Sequence, residues 1–134
     1  MMIVGDKITK VDAKRGKLKR GLKIETKPEI TKISSEEIFA AGEKKEGALV
    51  DFTFNISYGK SGHINLEGSL FITGEDEALK RLQKEWKKDK KINDNVFPSL
   101  LNRIFEVGLI TAIPLSKTLG LPVPLQLPRV NPKQ

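Results

Sequence analysis

Cysteine is absent from these 134 residues, so disulfides, thiolate metal sites and thiol nucleophiles are excluded together. Histidine occurs once, at His63. That rules out paired-histidine metal sites, and no Ser/His/acid context around His63 suggests a triad. Aromatic residues make up 6% of the chain, with one Trp and one Tyr, which leaves few platforms for stacking bases. The N-terminal MMIVGDKITK lacks the basic start, apolar run and small-residue cleavage site of a secretory signal, and no stretch reads as long enough to span a membrane. The chain is therefore expected in the cytoplasm, without membrane insertion.

What is abundant is charge of one sign. The formal net charge is +7, with 31% of residues charged. Clustered lysines attract polyanions by releasing counterions, so nucleic acid or an acidic partner fits this balance. The same Lys- and Glu-rich, cysteine-free composition also serves surface ion-pair networks in hyperthermophile proteins. With 38% apolar residues, the length suits one domain, 1–134, with an ordinary core.

Periodicity divides that domain in three. Over residues 1–73, short alternations such as IVGDKITKV and LKIETKPEITKI read as strands with one wet face, joined by the polar stretch DAKRGKLKRG. Pro28 has no amide hydrogen for a ladder, so the second strand is expected to lie at an edge or to break there. SSEEIFAAGEKKEG reads as a polar connection with a single helical turn. In ALVDFTFNISY, Val50, Phe52, Phe54, Ile56 and Tyr58 share one face. After GKSG, Ile64, Leu66, Leu70 and Ile72 alternate again as the return strand of a hairpin. The sum is a four-stranded antiparallel β-meander.

Between 74 and 118 the period changes to that of two helices. EDEALKRLQKEWKKDKK gathers Leu79, Leu82 and Trp86 on one face, with acids in its first turn and lysines in its last. A second helix starts near Asn93 or Asn95, with Pro98 tolerated in its first turn. Its polar stripe Ser99, Asn102, Arg103, Glu106 gives way to apolar residues in VGLITAIPL, and Pro114 is expected to kink or end it. A helix that is apolar all round in a small domain needs a second layer, most simply from another subunit. Residues 119–134 form an extended, proline-rich tail.

No catalytic constellation emerges. GKS at 59–61 lacks the upstream glycine of a phosphate-binding loop, since Phe54 stands there, and is followed by a strand. Glu75, Asp76 and Glu77 complement a helix dipole. No enzyme, cofactor or metal site is expected. Two basic clusters remain: Lys14, Arg15, Lys17, Lys19, Arg20 and Lys23 in the first hairpin, and Lys80, Lys84, Lys87, Lys88 and Lys91 along one side of the first helix. The latter is a candidate polyanion footprint.

A β-meander, a short helix, a long helix, then glycine and a tail with Pro124, Leu125, Leu127, Pro128, Val130 and Asn131 resembles the SecB family of holdase chaperones, over roughly residues 48–131. An archaeal branch suits the composition. The resemblance implies an α+β fold with both helices on one face of the sheet, assembling as a dimer or tetramer, and a non-catalytic role in holding unfolded polypeptides for folding or transport. Apolar grooves between sheet, helix and tail would receive the clients. The candidate client- or oligomer-binding residues are Ile110, Ile113, Leu115, Leu119, Leu121, Val123, Leu125 and Leu127. Bacterial members are acidic where this chain is basic, so their export partnership does not carry over. The alternative is a nucleic-acid-binding protein using its lysine clusters.

Overall fold

In a computed structural model, residues 2–89 and 96–124 are described. Four long strands, β1 (Met2–Arg15), β2 (Glu25–Ala40), β3 (Glu43–Ser57) and β4 (Gly62–Thr73), precede two helices, α1 (Asp76–Asp89) and α2 (Val96–Leu119). The four strands form one antiparallel sheet. The alternating residues of β3 and β4 build its centre: Val50, Phe52, Phe54, Ile56, Ile64, Leu66, Leu70 and Ile72 are all buried. The two helices cover this face, with Leu79, Leu82 and Trp86 of α1 and Leu100, Ile104, Val107 and Ala112 of α2 in the same core. The α+β class, the four-stranded antiparallel sheet and the two C-terminal helices thus match the sequence reading.

The strand order departs from a simple meander. β2, β3 and β4 follow one another as hairpins, but β1 lies beside β4, giving β1-β4-β3-β2. β1 and β2 are therefore opposite edges of the sheet, and residues 16–24 are a crossover rather than a hairpin turn. The reason lies in β4. Gly68, Ser69 and Leu70 are buried in succession, as suits a strand flanked on both sides, and β1 aligns Ile3, Ile8 and Ala13 with Ile72, Gly68 and Ile64.

β2 also runs further than the apolar alternation suggests. SSEEIFA is strand, not connection, and it turns at Ala41 and Gly42, whose φ values are 54 and 77. Two consecutive positive φ angles are the mark of a tight hairpin turn whose twist matches the strands. Alanine gives no sequence hint of that conformation. A β-bulge between Ile30 and Lys32 explains a second irregularity. By inserting one residue it returns Ile33 to the same buried face as Ile30.

Pro114 does not end α2, which continues to Leu119. A proline removes the bond its own amide would donate to the carbonyl four residues earlier, here Ile110. Both Ile110 and Pro114 are exposed, so that carbonyl faces water. The helix ends instead at Gly120, with φ of 69. The Leu121 amide donates to the Ser116 carbonyl at 2.8 Å and the Gly120 amide to the Lys117 carbonyl at 3.1 Å, which is the Schellman pattern. Asn93 and Asn95 lie outside the described residues. α2 is, by length and composition, apolar enough to cross a membrane, contrary to the sequence reading. In the fold its apolar residues Leu100, Ile104, Val107 and Ala112 are spent on the sheet.

Two consequences for stability follow. A β-carbon at Gly108 would overlap the Phe54 ring, so Gly108→Ala should lower stability by about 1–3 kcal/mol, the usual effect of overpacking. Ala41→Asn, which tolerates positive φ better, should raise it by about 0.5–1 kcal/mol. The midpoints of urea denaturation should move in opposite directions.

Candidate functional site

The free edge of β2 borders an apolar concavity. Pro28, Glu29, Ile30 and Thr31 form one wall, Trp86 of α1 and Phe97 and Leu101 of α2 the other, around a groove of about 510 Å³. Each wall has a local cause. Pro28 pairs opposite Phe54 yet cannot offer an amide outward, so it blunts the edge while adding apolar surface. The bulge beside it leaves Thr31 without a ladder partner. Trp86 sits on the last turn of the α1 face that also buries Leu79 and Leu82, at 8% exposure. Phe97 and Leu101 are half-buried, one turn apart at the start of α2. Such a site can take apolar side chains of an extended chain, with Glu29 and Thr31 as its polar lining.

The sequence-nominated apolar residues are not brought together there. Ile110 is 69% exposed on the solvent side of α2, flanked by half-buried Leu109 and Ile113. Leu115 and Leu119 are half-buried against the core cluster, while Leu121 is fully inside it. Val123 is half-buried and Pro124 buried, so the inward residues do not follow strand alternation. Leu125 and Leu127 lie outside the described residues.

The tail therefore begins by closing its own core. The Tyr58 hydroxyl donates to the Pro122 carbonyl at 2.7 Å, and the Arg15 guanidinium donates to the Leu119 carbonyl at 3.0 Å. Burial raises the pKa of the Tyr58 phenol from its usual value of 10.0, because desolvation disfavours the phenolate.

Among the lysines of α1, Lys80, Lys84, Lys87 and Lys88 are all exposed, and Lys91 lies outside the described residues. Asp76, Glu77 and Glu85 share that helix, so its charge is nearly balanced locally. His63 stands on the opposite face of the sheet, its Nε2 3.4 Å from Asp12 Oδ1. No described nucleophile joins this pair. A further cavity, of about 650 Å³, is lined by Met2, Lys45, Glu46, Thr73, Gly74, Glu75 and Asp76, and no metal-holding cluster of side chains occurs among the described residues.

The groove was missed in the sequence because its walls come from three separate elements. The available signal was the pairing of an edge proline with the lone tryptophan of an amphipathic helix. No protein-family model, curated protein or solved structure matches this chain.

Tyr58→Phe should lower stability at neutral pH by about 1 kcal/mol, the worth of one hydrogen bond. The native protein has a phenol with a raised pKa, so the stability this group contributes is complete below pH 10 and declines as pH rises through its folded value. Denaturation midpoints measured from neutral to strongly alkaline pH should show less alkaline loss in the variant.

Proposed function

We propose that this protein is a SecB-like, non-catalytic holdase that binds unfolded polypeptides in the cytoplasm. The observation that carries the reading is the groove at the β2 edge, where half-buried Phe97 and Leu101 present apolar surface over the nearly buried Ile30 and Trp86, beside a strand with an open side. Extended, unfolded chains have exposed apolar side chains and unpaired amides, and both find complements at such an edge. The arrangement of two helices over one face of a four-stranded antiparallel sheet also fits the resemblance.

Self-association belongs to the same reading. Ile110 stands 69% exposed in a ridge with half-buried Leu109 and Ile113, and apolar ridges of this kind mark association sites. A dimer or tetramer would cover it and leave the groove at the other side of the helix free for clients.

Trp86 is the only tryptophan in the chain and lines the groove, so it reports directly on occupancy. Titration with a permanently unfolded polypeptide that lacks tryptophan should shift its emission, and the shift should persist at about 0.5 M salt because apolar burial is not screened. Phe97→Ser and Leu101→Asp, each checked for an unchanged circular-dichroism spectrum, should weaken binding about tenfold or more, the loss of about 1.4 kcal/mol. Binding that vanishes with salt, or that ignores both substitutions, would refute this reading.

A further inference from the structure

The net charge of this protein is not spread over its surface. The crossover 16–24, with the last two residues of β1, carries Lys14, Arg15, Lys17, Lys19, Arg20 and Lys23 and no acid. The fold brings two more cations to the same end of the sheet. The Gly16 amide donates to the Ser61 carbonyl at 2.8 Å, which fixes the crossover against the turn that holds Lys60. Arg15 reaches the C-terminus of α2 through its bond to the Leu119 carbonyl, within a turn of Lys117. At its far end the crossover meets Glu25, opposite Ser57 on the same turn.

These segments hold eight of the chain's 24 Lys and Arg, so the rest has 16 against 17 acids and is close to neutral. Among the described residues, one end of the fold thus carries the whole excess. Arg15 is occupied in holding the C-terminus of α2. The other seven side chains are exposed, and none forms an ion pair among the described residues. The acid nearest to Lys14 in the sequence, Asp12, faces His63 instead. A thermostabilising role requires partners, because charge networks stabilise through opposite signs. Seven unpaired cations at one end repel one another, which costs stability unless an anion is present.

We propose that this end is a second binding site, which grips the phosphodiester backbone of double-stranded nucleic acid without reading its sequence. Three observations select that ligand. First, the crossover must bridge from one edge of a four-stranded sheet to the other, about 14 Å at about 4.8 Å per strand, and a ridge of that length spans the major groove of B-form DNA, about 12 Å wide between its phosphate rows. Second, the end offers no base-stacking surface. Tyr58, its one aromatic, is buried and hydrogen-bonded, and the exposed Phe39 lies next to the hairpin at the far end of β2. Single-strand binders depend on such rings, whereas backbone binders do not. Third, the free cations are mostly lysines, point charges suited to phosphates but depleted from protein–protein interfaces.

The site stands apart from the groove at the β2 edge and does not depend on the chaperone reading. It also relocates the polyanion footprint, from the locally balanced α1 lysines to the crossover.

The test is fluorescence anisotropy of labelled duplex DNA and duplex RNA of about 20 base pairs, from about 0.05 to about 0.2 M salt, with the full chain. Wild-type protein should bind duplex at low salt, with log K falling against log salt at a slope of about −4 to −5, for about five phosphate contacts. The quadruple variant K17E/K19E/R20E/K23E should lose at least about 100-fold in affinity and most of that slope. K80E/K84E/K87E/K88E should retain the larger share of both, and Leu101→Asp should change neither. The two duplexes bound alike would mean recognition of the shared backbone, and a preference for one would identify the source; either supports the site. The proposal is overturned if no duplex binds at low salt, if the crossover variant binds as wild type does, if the α1 variant loses more than the crossover variant, or if a polyglutamate peptide competes as well as duplex.

Discussion

The seat of α2 on the sheet is the contact on which the remaining features depend. Gly108 lets the helix backbone approach until the Phe54 ring fills the space a side chain would occupy, and Phe105 meets the same ring edge-on at 5.5 Å and 78°. That close approach fixes which sides of the helix are spent. Leu100, Ile104, Val107 and Ala112 go inward, Phe97 and Leu101 line the groove, and Ile110 is left outside. It also sets where the helix ends. The Schellman turn at Gly120 delivers Leu121 into the core and lines up the Leu119 carbonyl with Arg15 and the Pro122 carbonyl with Tyr58. A shift of α2 by one turn would undo the groove, the tail and the anchoring of the crossover together.

Much of the fold was legible because burial in it follows simple periods. From Ala48 to Ile56 in β3, and from Ile64 to Ile72 in β4 but for the extra buried Ser69, every second residue is inside, and in α1 Leu79, Leu82 and Trp86 mark a single face, so pattern alone located these stretches. What escaped was information that is not local. The order of β1 and β2 is decided by which edge of β4 needs a partner, and the adjacency of two strands in sequence says nothing about that. The path of β2 through Ile38 depended on a bulge and on Ala41 with φ of 54, a conformation that composition does not announce. Pro114 misled for the opposite reason: the rule that proline interrupts a helix is sound, but its effect falls on the Ile110 carbonyl, at an exposed position where water can replace the missing bond.

The candidate sites divide along the same line. The tail was identified as apolar, and the fold takes Leu121 and Pro124 at its start into the core, with Leu121 at 4% exposure. The groove needed three elements and could not be seen from any one of them. The crossover cations were visible as a run, but their significance depended on what stands next to them. As part of a hairpin they would have faced Glu25 and Glu29 across a ladder. As a crossover over the sheet's end they face solvent, Lys60 and the end of α2.

These two surfaces lie along one strand, and their spacing determines whether they act on each other. The crossover hands over to β2 at Glu25, and the groove starts at Pro28, so they are roughly 10–20 Å apart at about 3.4 Å per residue. That exceeds the Debye length of about 8 Å at physiological ionic strength and falls below the roughly 30 Å reached in very dilute salt. A chain lying in the groove would accordingly sense the cationic end only weakly under physiological conditions, and its binding would be governed by apolar burial. In dilute salt the field reaches the groove, and an acidic polypeptide gains attraction that owes nothing to Trp86 or Leu101. Polypeptide binding at low ionic strength therefore mixes the two surfaces, and salt separates them because one is screened and the other is not.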